Sequence, residues 1–130
     1  MNMITDQTLS LDYEPRYFIG RRPTRLLIGT FEIPVNKWSE VARILLKDCN
    51  EKRHRQLLSV RNKISGKCRM ILSDTDAGMD RALKVDEGVY FEIHCGTECL
   101  LRMLLLTFRA AGYDYSDIYV VVREKNASAQ

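Results

Sequence analysis

The chain is poor in the residues and patterns that most catalytic and targeting signatures need. Only two of its 130 residues are histidine, His54 and His94. No glycine-rich phosphate loop is present, and no Ser/His/Asp set. The longest apolar run, CLLRMLLLTF, is broken by Arg102 and falls far short of the ~20 apolar residues that span a bilayer. The N-terminus, MNMITDQTLS, lacks a basic start followed by an apolar stretch, so no signal peptide is expected. No internal repeat or low-complexity segment is visible. These gaps predict a soluble, cytoplasmic protein without a membrane partner, and more a binder than an enzyme.

What the chain does have is the composition of one globular domain, with 45% hydrophobic and 28% charged residues. Cys49, Cys68, Cys95 and Cys99 are spread through a chain without a secretory signal, which favours free thiols over disulfides. The net charge of +3 is unevenly placed, with the surplus of Lys and Arg in the first half.

Residues 1–24, with breakers at Pro15 and Pro23, show little periodicity and are expected to be an irregular lead-in to a single domain over 25–124. Residues 25–33 alternate as a strand between Pro23 and Pro34. Asn36 is a candidate N-cap for a helix whose stripe is Trp38, Val41, Ala42, Leu45 and Cys49. Helical spacing continues through Leu57, Val60 and Ile64 to a stop at Gly66, as one helix or as two with a break near Asn50. Short strands are predicted at 68–72, RALKV and VYFEIHC, the last two joined by Asp86-Glu87-Gly88 with Gly88 at positive φ. A helix follows, capped by Thr97 and ended by Gly112. The β-branched run 117–123 reads as a central strand, and 125–130 as a loose tail.

The expected fold is therefore α+β: one mostly antiparallel sheet of four or five strands, two main helices on one face, order β-α-β-β-β-α-β. With one short strand removed, that order is similar to the βαββαβ order of a ferredoxin-like domain.

Four stretches carry possible chemistry. ILSDTDAGMD places Asp74, Asp76 and Asp80 around Gly78. Read as a calcium loop from Asp74, Gly78 falls at position 5, Met79 at 6 and Val85 at 12, where other residues are required. Ser, Asp and Gly are turn formers, so a connector is expected. HCGTEC puts His94, Cys95 and Cys99 at a strand end and a helix start. A helix N-terminus favours a thiolate, but the metal spacing does not close. Cys95 and Cys99 are expected to be small core residues, and no metal or cofactor is predicted.

The third stretch runs from Lys52 to Ser73 without an acidic residue and contains Lys52, Arg53, Arg55, Arg61, Lys63, Lys67 and Arg69. Cations of this kind grip phosphates or an acidic partner surface. A second basic set, including Arg21 and Arg22, is interleaved with Tyr13, Tyr17 and Phe18, a mixture suited to stacking or to a protein contact. The fourth stretch is the helix over 97–112, apolar around most of its circumference. Either the first helix and the N-terminal segment cover it, or a second copy does, with Leu101 and Leu105 as the self-association residues of a homodimer. The function these readings favour is a small non-catalytic binding protein, a regulator or inhibitor acting through a protein partner or its own dimer. Nucleic-acid binding through 52–69 is the alternative, and a small thiol or acid–base enzyme comes third.

Overall fold

In the computed structural model, which describes residues 6–63 and 71–124, the β-branched run Ile118–Glu124 lies at the centre of a sheet, as its composition predicts. Eleven elements are described in chain order. They are β1 (Gln7–Ser10), a 3-10 turn (Pro15–Phe18), β2 (Arg21–Ile28), β3 (Phe31–Pro34), α1 (Trp38–Lys52) and α2 (His54–Ser59). Then come β4 (Leu72–Ser73), β5 (Ala82–Asp86), β6 (Val89–Glu92), α3 (Thr97–Ala111) and β7 (Ile118–Glu124).

The strands form two antiparallel sheets, β1-β7-β2-β3 and β4-β6-β5, which corrects the expectation of a single sheet. The physical reason is α1. Its apolar stripe, Trp38, Val41, Ala42, Leu45, Leu46 and Cys49, is buried, and the helix touches β2 of one sheet, β5 of the other, and α3. A helix between two sheets keeps their edges from meeting.

On β7, Ile118, Val120 and Val122 point to the core that Leu26, Leu45, Leu104 and Phe108 complete. Buried Phe18 meets Trp38 edge to face at 5.4 Å between ring centroids.

Several local readings change for local reasons. The lead-in over 1–24 contains β1 and the start of β2, so β2 begins four residues before the predicted strand. Lys37, not Asn36, is the N-cap of α1, because the Glu40 carboxylate reaches back to accept the backbone N–H groups of Asn36 (2.7 Å) and Lys37 (3.0 Å). The helical stretch is two helices, parted at Arg53. Gly96, not Thr97, is the N-cap of α3, while Gly112 ends it in the left-handed region at φ 71. The predicted strand at 68–72 is seen only as Leu72–Ser73. Its start, the Gly66 stop and the 125–130 tail lie outside the described residues.

Gly88 turns the β5–β6 hairpin at φ 69, as expected. A Cβ there would also lie 3.0 Å from the Arg61 guanidinium, which would have to give way. Arg61 donates to the Gly88 carbonyl at 2.6 Å and to the Leu58 carbonyl at 3.2 Å, tying α2 to the hairpin. No helix among the described residues is long and apolar enough to cross a membrane.

Candidate binding surfaces

The N-terminal aromatic–arginine stretch folds so that its residues divide by depth. Leu11 and Phe18 enter the core, and the Trp38 indole N–H donates to the Arg21 carbonyl at 2.9 Å, fixing the start of β2. Between these anchors the short 3-10 turn leaves Tyr13, Tyr17 and Ile19 about half exposed. The two tyrosine rings meet edge to face at 6.5 Å, and the Arg16 guanidinium lies 5.3 Å from the Tyr17 ring centre and 2.8 Å from Glu14. The result is an apolar ridge on a rigid base, studded with arginine.

Grooves lie on both sides of the ridge. One, of about 320 Å³, is lined by Leu9, Tyr13, Glu14, Tyr17 and Arg21. The other, of about 590 Å³, lies between Ile19-Gly20 and the start of α3, where Cys99 and Arg102 face it. Exposed Tyr and Arg over a fixed base are the residue types that dominate protein interfaces.

The basic set is less unified than its sequence spacing suggests. Arg21 and Arg22 occupy consecutive positions on β2 and so face opposite sides of the sheet. Lys52 pairs with Asp48 at 3.0 Å. Arg61 is spent on the two backbone carbonyls described above. Arg53, Arg55 and Lys63 are exposed and make no ion pair among the described residues. Lys67 and Arg69 lie outside the described residues.

The self-association residues are corrected. Leu101 is 1% exposed and Leu105 3%, both inside the chain's own core. The 3-10 turn, α1 and α2 all pack on α3 and cover the flank that looked too apolar. Its outward residues are Cys99, Arg102, Leu106, Arg109 and Ala110, of which only Leu106 is a large apolar side chain, at 43%.

Cys95 and Cys99 are both exposed, which overturns their placement in the core; Cys68 is outside the described residues. His54 is engaged with Asn50 at 2.8 Å, and among the described residues no histidine bonds Cys99. Nor do three or more His, Cys, Asp or Glu side chains among them gather as a metal site.

The acidic loop is a connector, as expected. The Met79 N–H donates to the Asp76 carbonyl (3.1 Å), Gly78 takes φ 80, and Asp74, Asp76 and Asp80 are exposed. Its anchor is a residue that sequence reasoning missed. Glu92, 2% exposed on β6, accepts the backbone N–H groups of Asp80 (2.7 Å), Arg81 (2.9 Å) and His94 (3.0 Å).

A second missed tie joins α1 to the end of α3. The buried Tyr113 hydroxyl donates to Asp48 at 2.5 Å. Burial, and then this bond to a carboxylate, hold the Tyr113 phenol well above its ordinary value. Burial, helped by the Asp48 charge, pushes the neighbouring Cys49 thiol up to about 12. Both groups keep their protons in the folded chain at pH values where the unfolded chain releases them. The stability that these two groups contribute is therefore full below pH ~8.5 and falls as pH rises, through Cys49 first and through Tyr113 only above pH ~10, by up to about 1.4 kcal/mol per pH unit for each. Urea midpoints at pH 8, 9.5 and 10.5 should decline, and Cys49→Ala should make the decline shallower. An identical slope in the variant would remove Cys49 as a cause.

Comparison of the chain with protein-family models, with curated proteins and with solved structures gives no match. No relative therefore lends it an activity, and no fold neighbour supports the ferredoxin-like order.

Proposed function

We propose that the protein is a small cytoplasmic, non-catalytic binding protein that acts, as a regulator or inhibitor, by docking a protein partner on the Tyr13–Tyr17–Ile19 ridge. The observation that carries this reading is the exposure of three large apolar side chains, with grooves on both sides, on a segment fixed by Phe18 and Trp38. A photo-crosslinking residue at position 17 tests it in living cells, with the same residue at exposed Lys84 as the control. A discrete adduct from position 17, with none from 84, and its loss in Ile19→Asp are expected. Equal labelling from both positions would sink the proposal, and an adduct of twice 15.1 kDa would make a second copy the partner.

Arg53, Arg55 and Lys63, exposed and without an ion pair among the described residues, support a second reading, contact with nucleic acid. Fluorescence anisotropy with random duplex DNA and single-stranded RNA separates the two. The first reading expects only weak binding, gone by ~200 mM salt. Submicromolar binding that survives this salt and is lost in a triple alanine variant of those residues would put the second reading first.

A further inference from the structure

Between the second sheet and the first two turns of α1 lies a groove of about 360 Å³ that shares no lining residue with the grooves beside the ridge. One wall is α1, where Glu40 and Arg43 are three positions apart and so neighbours on one side of the helix, with Lys37 at the N-cap. The other wall is built where β5 begins and β6 has just ended. There the Ile93 N–H donates to the Arg81 carbonyl at 3.1 Å, so the two residues oppose each other and set their side chains on one face. Leu83, two residues on from Arg81, shares that face, and Lys84 points to the opposite one. The Arg81 backbone is held twice, since its N–H also donates to the buried Glu92 carboxylate at 2.9 Å. The anchor of the acidic loop thus also places a cation in the groove.

The lining carries an uncompensated charge. Lys37, Arg43 and Arg81 are exposed and make no ion pair among the described residues. Glu40 is the one carboxylate among the described lining residues, and one of its oxygens already accepts the Asn36 and Lys37 N–H groups. Three cations against one carboxylate leave a surplus of two positive charges. Beneath them Leu83 and Ile93, both half-buried, form an apolar floor that packs on the core. Cations confined beside an apolar floor favour an anion with an apolar body.

We infer that this groove is a binding site for a small organic phosphate monoester, its phosphate gripped by Arg43 and Arg81 and its apolar body laid on Leu83 and Ile93. Charge selects the head group. A phosphate monoester brings about −1.5 to −2 charge at pH 7, which matches the surplus, whereas a carboxylate or a nucleic-acid diester brings a single charge. Guanidinium groups also meet phosphate oxygens in pairs. The floor and the volume select the body. Two aliphatic side chains leave the hydrogen bonds of a sugar or a peptide backbone unmet, and the space is that of a small-molecule cleft, about 300–1,000 Å³. The inference is independent of the ridge, and either can fail without the other.

The probe is naphthyl phosphate, titrated into isotope-labelled full-length protein and followed by amide NMR shifts. Saturable shifts at Arg43, Arg81 and Leu83 are expected, with Kd at ~1 mM or below. Naphthoate, with the same body and one charge, and inorganic phosphate, with no body, should each bind at least tenfold more weakly. Arg43→Gln and Arg81→Gln, both at exposed positions, should each weaken the ester at least tenfold. Lys84→Gln removes the same charge from the opposite face and should leave Kd within twofold. No saturation by ~10 mM ester would overturn the inference. So would equal binding of either control, or shifts centred on Arg53, Arg55 and Lys63. A blocked five-residue phosphotyrosine peptide that binds the same residues at least tenfold more tightly than the ester would also overturn it, by assigning the groove to a phosphorylated protein segment.

Discussion

Glu92→Gln is expected to lower stability by about 2–4 kcal/mol, because an amide of the same shape cannot accept what the carboxylate accepts. Both oxygens of Glu92 are in use, one by the Asp80 N–H and the other by the Arg81 and His94 N–H groups. In glutamine one oxygen becomes an NH2 group, so whichever way the amide turns at least one backbone donor is left facing another donor. The site is buried, and water does not make good the loss. For a chain of this size the cost corresponds to a fall of about 10 °C in Tm. Thermal unfolding measures it, and amide exchange locates it. Asp80, Arg81 and His94 should exchange faster, with the centre of β7 little changed relative to global stability. A variant within ~1 °C of wild type would show that the three bonds contribute nothing net.

The second large effect is Leu101→Glu. Were α3 half of a dimer interface, the variant would be a folded monomer. Its burial inside the chain predicts instead that it does not fold. An unpaired carboxylate in an apolar core, added to the lost burial of leucine, costs about 5 kcal/mol or more, comparable to the whole stability of an ordinary domain. Leu106→Glu, on the outward side of the same helix, should cost less than about 0.5 kcal/mol. Circular dichroism and urea titration of the two variants decide the matter. A folded, cooperative Leu101→Glu would mean that α3 is not packed as described.

The contrast between these residues shows how far the sequence could be read. β7, the hairpin at Gly88 and the end of α3 at Gly112 were legible because each depends on local chemistry: a β-branched run, and glycines where φ must be positive. β1 was not, since Gln7–Ser10 holds a single apolar residue and becomes a strand only through pairing with residues more than a hundred positions away. The apolar girth of α3 was visible, but what covers it was not, because coverage depends on the packing of the 3-10 turn, α1 and α2. The candidate site divides in the same way. The mix of arginine and aromatic residues marked the right stretch, and depth then sorted Tyr17 from Phe18 and Tyr13 from Leu11. Arg61 looked like one more surface cation and is a bracket. Glu92 carried no signal in the sequence and is the anchor of a loop. Long-range hydrogen bonds leave no periodic trace for a reader to find.

The position of α1 has one more consequence. A domain with two separate sheets could come apart in two stages, each sheet melting on its own. Here the same helix face supplies part of the core to both, so opening either sheet strips apolar cover from the other. That shared face makes the two sheets one cooperative unit and leaves no half-folded state with a satisfied interior.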